Sequence, residues 1–481
     1  MKSHSLFLRK ISIGGGLTTM EKAAKWLSLG HVLVFSVALN VVFGLMVVLR
    51  RECFGGAEQQ TERGINGFCL EKQFEEVVVA PMAVGSTEKA HIRTNAVAPV
   101  YYSSSSSADS PPITDDGRII NLDHGDPTMY EKFWKQTGDR TTVVISGWQS
   151  ISYFSDPSNV CWFLEGALER EIIRLHEIVG NAVTDDRYII VGTGSTQLFQ
   201  AALYALSLPE GAEPVSVVSA LPYYSFYLNV IDYMKSGLYK WAGDAESFNK
   251  EEPYIELITS PNNPDGFMRQ PKVNRSMGML IHDFAYYWPQ YAPITRAADH
   301  DLMLFTISKS SGHAGVRIGW ALVKDKEVAK KMTKFIELSS IGVSKDSQLR
   351  AAKILQAISD STELAGDSEI SKNFFEFSYN IMADRWKQLR EAVKQSELFS
   401  LPEFPSAYCK FSNRSFRTQP AFAWLRCRGG IEDCNDFLQN HKILTRGGRH
   451  FGVSPEYVRV SMLAGDDNFH LFLNRLSMLW P

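Results

Sequence analysis

The stretch ISKSSGHAGVR (residues 307–317) sets Lys309 eight positions before Arg317, with mostly small or polar residues between them. It follows the apolar run Leu302–Phe305, which reads as a buried strand. A lysine leaving the end of such a strand can form a Schiff base with an aldehyde cofactor. An arginine on the returning loop can hold a phosphate with a rigid, always-charged fork. Taken alone, the pattern also fits a solvated loop. Four other segments point the same way.

Working outward, Asp283-Phe284-Ala285-Tyr286 follows the strand-like Met279–Ile281. A carboxylate at the end of a buried strand is costly unless a cation meets it. A protonated pyridine nitrogen supplies that cation. Ser260-Pro261-Asn262-Asn263-Pro264-Asp265-Gly266, after Tyr254–Thr259, is a tight turn by composition; it also places the Asn263 amide where it can meet a ring hydroxyl. Gly192-Thr193-Gly194-Ser195-Thr196-Gln197 lies between the strand Tyr188–Val191 and a helix expected over Gln197–Leu206. Small residues opening a helix expose N–H groups and hydroxyls to an anion, and this pattern is neither a dinucleotide nor a Walker motif. Tyr223-Tyr224, after Pro214–Ser219, offers a ring to stack on a flat cofactor or simply to fill the core.

In this order the segments resemble a fold-type I pyridoxal-phosphate enzyme of the aminotransferase kind. INLDHGDPTMYEKFW (120–134), YFSDPSNVCWFLE (153–165), VGTGSTQLFQAALYAL (191–206), TSPNNPDGF (259–267), HDFAYYWPQY (282–291), SKSSGHAGVRIGWALVKD (308–325) and IGVSKDSQLR (341–350) resemble the plant alliinase and tryptophan aminotransferase-related family, and its aminotransferase branch most. The resemblance runs from Arg118 to the C-terminus. It implies an α/β fold with a large, mainly parallel-sheet domain that binds pyridoxal 5'-phosphate (118–345, with an N-terminal arm). A smaller C-terminal α/β domain with connecting helices (346–481) would follow it.

It also implies roles. Lys309 holds the cofactor and then acts as the base at the substrate Cα, Asp283 faces the pyridine nitrogen, and Tyr286 and Asn263 bond the ring oxygen. Beside these implied roles, the residues' own reading offers Tyr224 to stack on the ring or to fill the core. Ser195, Thr196, Thr306, Ser308 and Arg317 share the phosphate, and Tyr153 reaches it from the neighbouring subunit of a homodimer. Arg459 clamps the substrate carboxylate, for which a bidentate fork is suited. The implied reaction is transamination of L-tryptophan with a 2-oxo acid such as pyruvate, giving indole-3-pyruvate for auxin synthesis. The alternative is a C–S lyase acting on S-alkyl-cysteine sulfoxides.

Strands are expected near 188–191, 214–219, 254–259, 278–282, 302–306 and 318–323, and in the smaller domain near 420–426 and 457–462. Long helices are expected at 346–359 and 370–396. Ligands of such sheets sit beyond the carboxyl ends of the strands, where the five segments all fall.

The N-terminus reads differently. After an N-terminal segment (1–26), Leu27–Leu49 is an uncharged apolar run bounded by Lys25 and by Arg50-Arg51. As a helix it spans about 35 Å, enough for a bilayer core of about 30 Å. It exceeds the usual apolar length of a signal peptide, so an uncleaved signal anchor is expected, in a single-pass membrane protein of the endoplasmic reticulum. Basic residues on both sides leave its orientation open. Residues 50–117 form a connector whose Ser-rich YYSSSSSADSPPITDD (101–116) suits a flexible tether. Cys53 and Cys69 are too few for the cysteine-rich module that alliinases carry there. Cys161, Cys409, Cys427 and Cys434 suggest no metal site; Cys427 and Cys434 fit either a disulfide or free thiols. A net charge of −3 gives no reason to expect nucleic acid.

Overall fold

The computed structural model describes residues 115, 117–207, 213–363 and 373–479. The expected span 27–49, Cys53 and Cys69 lie outside the described residues. Among those described, no helix is long and apolar enough to cross a membrane.

The arm contributes a short strand, β1 (Ile120–Asn121). The central sheet holds β2 (Tyr188–Gly192), β3 (Val215–Ser219), β4 (Tyr239–Asp244), β5 (Tyr254–Thr259), β6 (Gly278–Asp283), β7 (Leu302–Thr306) and β8 (Gly319–Val323). Their spatial order is β2-β8-β7-β6-β5-β3-β4. β8 runs antiparallel to both β2 and β7, while every other pairing is parallel. The sheet is therefore mixed. β3, β5, β7 and β8 are buried at every position, as strands covered by helices on both faces must be, and this explains their unbroken apolar runs. β4 was not among the expected strands. It is an edge strand, largely half-exposed, and its YKWAGD sequence lacks β-branched residues.

The C-terminal part carries β9 (Phe399–Ser400), β10 (Ser406–Cys409), β11 (Arg414–Arg417), β12 (Phe422–Cys427), β13 (Ile443–Leu444), β14 (Arg446–Gly447) and β15 (Tyr457–Ser461). β14-β15-β12-β9 form an antiparallel sheet, and β10 and β11 form a hairpin. The long helix Phe374–Ser396 starts after Asn373, whose side chain accepts from the N–H groups of Phe375 and Glu376. It is tied to the end of β15 by the buried Arg385, which donates to the carbonyls of Met462 and Ala464 and to the Asp466 carboxylate at 2.6–2.7 Å.

Two contacts blur the expected division at residue 345. β1 pairs in parallel with β13, so the start of the arm packs with the C-terminal part. The helix Lys345–Glu363 lies against the helix Gly166–Val179, with Arg174 bonded to Asp360 and Glu363. Cys427 and Cys434 form a disulfide joining the end of β12 to the helix Cys434–Asn440, while Cys161 and Cys409 are free and buried.

Candidate active site

The antiparallel sense of β8 brings the distant motifs together. Gly319, its first residue, pairs with Gly192 at the end of β2 and with Thr306 at the end of β7. Arg317, two residues earlier, thus arrives at the same sheet edge as Ser195 and Lys309. β5 and β6 end beside each other there, with Thr259 opposite Asp283. The cavity at this edge has a volume of about 190 Å³. It is lined by Ser195, Thr196, Tyr224, Asn263, Asp283, Tyr286, Thr306, Ser308, Lys309 and Arg317, all expected from the sequence, and by Thr259, Ala285 and Ala314.

Lys309 sits in the short helix Ile307–Ser310 directly after β7. Its carbonyl accepts from Gln290 Nε2 at 3.3 Å and from the Tyr291 hydroxyl at 3.2 Å. Its Nζ donates to the Gly125 carbonyl. Burial lowers Lys309 to about 8, with Arg459 and Arg317 pushing the same way and Asp126 opposing. A far larger share of its amine than in an exposed lysine is therefore neutral near physiological pH, the form that attacks a carbonyl.

The arm that reaches Lys309 also engages two arginines. Asp123 pairs with Arg446 through both oxygens, at 2.6 and 2.9 Å. The Asp123 carbonyl accepts from Arg459, which also donates to Asn263 Oδ1 at 3.0 Å. Arg459 is 3 % exposed and lies over the Phe422 ring at 4.1 Å. Among the described residues its Nε has no hydrogen-bond partner. Burial and the adjacent Arg446 lower it to about 10. A buried guanidinium with a donor unused fits a bound carboxylate.

At the other end of the cavity, Asp283 Oδ2 accepts from the Tyr227 hydroxyl at 2.9 Å and Oδ1 from the Ala285 N–H at 3.0 Å. Burial raises the carboxyl group above the usual range, and these two bonds oppose the rise. No cation pairs with Asp283 among the described residues, so a protonated ring nitrogen fits this position.

The anion cradle is backbone-defined. Gly194 opens the helix Gly194–Ala205 at φ +75°, and a Cβ there would lie 2.5 Å from Arg317 Nη2. A Cβ on Gly319 would lie 2.6 Å from the Ser195 nitrogen. Both glycines let the helix start, the guanidinium and the sheet edge converge. The helix begins earlier than expected, which puts Ser195 and Thr196 in its first turn. Thr306 caps the Lys309 helix by accepting from the Ser308 N–H, and its own hydroxyl donates to the Ile318 carbonyl. It shapes the cradle with its hydroxyl proton already engaged.

A family model described as Allinase matches residues 120–480. The chain belongs to the alliinase family. It is 59% identical over 364 residues to tryptophan aminotransferase-related protein 2 of Arabidopsis thaliana, covering 76% of this chain and 82% of that one. It is 36% identical over 372 residues to an alliin lyase of Allium cepa var. aggregatum, covering 76% and 82% respectively. Among solved structures it is similar in fold to an Escherichia coli protein assigned a methionine aminotransferase function. The TM-score is 0.55 at 15% identity, over 75% of this chain and 93% of that one. The fold is of the fold-type I aminotransferase kind, and alliinase-family enzymes of this fold use pyridoxal phosphate. The buried lysine with its lowered pKa, the carboxylate with no cation among the described residues and the glycine-lined cradle fit that group.

Tyr153 stands apart from the cavity. It is 69 % exposed and lies beside Ser340–Asp346, so within its own subunit it is not a site residue. Sequence reading also missed Tyr227, Thr259, Arg446 and the carbonyls of Asp123 and Gly125. The carbonyls carry no side-chain signal. Tyr227 lies one helical turn after Tyr224, a spacing that by itself indicates no more than a shared aromatic face.

Proposed function

We propose that this alliinase-family protein is a homodimeric, pyridoxal-phosphate-dependent aminotransferase that converts L-tryptophan to indole-3-pyruvate with a 2-oxo acid such as pyruvate, feeding auxin synthesis. The observation that carries this reading is the 59% identity to a tryptophan aminotransferase-related protein, against 36% to an alliin lyase. Pyridoxal phosphate, when bound, supplies the electron sink that makes a proton at the substrate Cα removable.

The chain's own residues do the rest. Arg459 binds the substrate carboxylate and fixes the Cα before the Lys309 amine. Lys309, as its free amine, would take the Cα proton and hold it at Nζ, and where that proton is then delivered would separate transamination from Cβ–S cleavage. Asp283 holds the ring nitrogen protonated. Asn263 and Tyr286 bond the ring oxygen, and Tyr224 stacks on the ring. Ser195, Thr196, Ser308 and Arg317 bind the phosphate, with Thr306 shaping their loop and Tyr153 contributed by the second subunit. Residues 27–49 anchor the enzyme in the endoplasmic reticulum membrane.

Incubating the full-length protein with tryptophan and pyruvate, and separately with alliin, tests the reaction. Indole-3-pyruvate matched by alanine is expected, with little pyruvate from alliin. Faster pyruvate release from alliin overturns the reading in favour of the lyase. The anchor predicts resistance to carbonate extraction, lost on deleting residues 1–51.

A further inference from the structure

A chain of hydroxyls behind Asp283 connects two strands and a helix that no motif links. Tyr227, on the helix Ser225–Met234, is 3 % exposed. Its hydroxyl lies 2.7 Å from Thr259 Oγ1, on the last residue of β5, and 2.9 Å from Asp283 Oδ2, on the last residue of β6. Thr259 is 4 % exposed. The phenol has one proton, and the carboxylate is the stronger acceptor. Tyr227 therefore donates to Asp283 and accepts from Thr259. With the Ala285 N–H on the other oxygen, the plane of the carboxylate is held from two sides.

We infer that Tyr227 and Thr259 are positioning residues that keep Asp283 ionised and oriented toward the ring nitrogen of pyridoxal phosphate. Asp283 has no cation beside it among the described residues, and burial favours its neutral form. A neutral Asp283 meets the protonated ring without a charge to offer. The donated phenolic hydrogen opposes that neutralisation before the cofactor arrives, and Thr259 fixes the phenol so that its hydrogen points one way. The inference rests on the pyridoxal-phosphate site and is independent of which amino acid the enzyme consumes.

The test uses full-length protein in detergent, stripped of cofactor and titrated with pyridoxal phosphate, with tryptophan fluorescence as the readout. Tyr227→Phe should bind roughly 10- to 100-fold more weakly, as expected for loss of one hydrogen bond to a charged group. At saturating cofactor its kcat should fall while the KM for the amino substrate stays unchanged, since Arg459 still reads the carboxylate. Thr259→Val should weaken cofactor binding less than Tyr227→Phe and add nothing to it in the double variant, whereas Thr259→Ser should restore wild-type binding. The Val and Ser variants carry the decision if Tyr227→Phe folds poorly. Wild-type affinity in Tyr227→Phe, or equal weakening by Thr259→Val in both backgrounds, overturns the relay alone. A wild-type chain that takes up no cofactor overturns the site and the relay with it.

Discussion

Arg459 donates to the amide oxygen of Asn263 at 3.0 Å, across 196 residues of chain. The bond fixes which way the amide faces: its oxygen is held by the arginine, so the NH₂ group is what remains to donate to a ring hydroxyl. The residue proposed to read the substrate carboxylate thus also orients a residue proposed to bond the cofactor.

Arg459→Lys separates the two. A lysine offers a compact charge and cannot span Asn263, the Asp123 carbonyl and a carboxylate as a planar fork does. Transition-state binding should fall by about 1–3 kcal/mol, read as kcat/KM. The visible absorbance of the bound cofactor should shift too, because the Asn263 amide is freed. An unshifted spectrum would mean that the Arg459–Asn263 bond has no influence on the ring.

Lys309→Ala should abolish turnover, since among the described residues no other lysine lines the cavity. Residual activity above about a hundredth of wild type exceeds what loss of a general base allows and would refute the assignment. The pH dependence has a definite sign. Lys309 is lowered to about 8, and only the neutral amine attacks an aldehyde. Cofactor capture by the stripped protein should therefore speed up as pH rises through about 8, and plateau above it. A rate flat between pH 6.5 and 9 excludes the depressed lysine.

Gly194→Ala probes the cradle. It places a methyl group 2.5 Å from Arg317 Nη2 and at a backbone φ of +75°, which an alanine adopts at a cost of about 1–2 kcal/mol. Displacing the guanidinium should raise the dissociation constant for pyridoxal phosphate at least about tenfold, each 1.4 kcal/mol being a factor of ten. Pyridoxal without its phosphate should bind both proteins alike. An equal loss for both ligands would show that the glycine serves folding and not the phosphate.

Much of this site was legible because its chemistry needs unusual residues at the ends of apolar runs. The runs themselves were long and fully buried, as in β5 and β7, so their ends could be located. Less legible was what depends on strand order. Nothing in GWALV shows that β8 runs antiparallel, yet that sense is what carries Arg317 to the cavity edge beside Ser195 and Lys309. β4 escaped because an edge strand needs no continuous apolar run. The arm's contribution is carried by the Asp123 and Gly125 carbonyls, a group every residue possesses, so only the folded chain reveals it.

The fold also carries a buried histidine with a predictable effect on acid stability. His176 is fully buried between the Trp320 indole N–H, 2.9 Å from its Nε2, and Asn181 Oδ1, 2.7 Å from its Nδ1. Nε2 accepts from the indole, so Nδ1 carries the hydrogen, and the neutral ring is satisfied on both sides. A second proton would face the indole N–H. Burial accordingly lowers His176 from 6.5 to about 4. The folded value lies below the unfolded one, so the unfolded chain binds the extra proton first. Stability from this group is complete above pH 6.5 and is lost as the pH falls toward 4, amounting to about 3 kcal/mol in all, of which about 2 is gone by pH 5. His282, lowered to about 3 by burial and by His300 stacked on it, acts in the same direction. Urea unfolding followed by tryptophan fluorescence should therefore show lower stability at pH 5 than at pH 7. His176→Gln, whatever its own cost, should reduce that difference by about 2 kcal/mol, because glutamine does not titrate. An undiminished difference in the variant would assign the acid sensitivity to other groups.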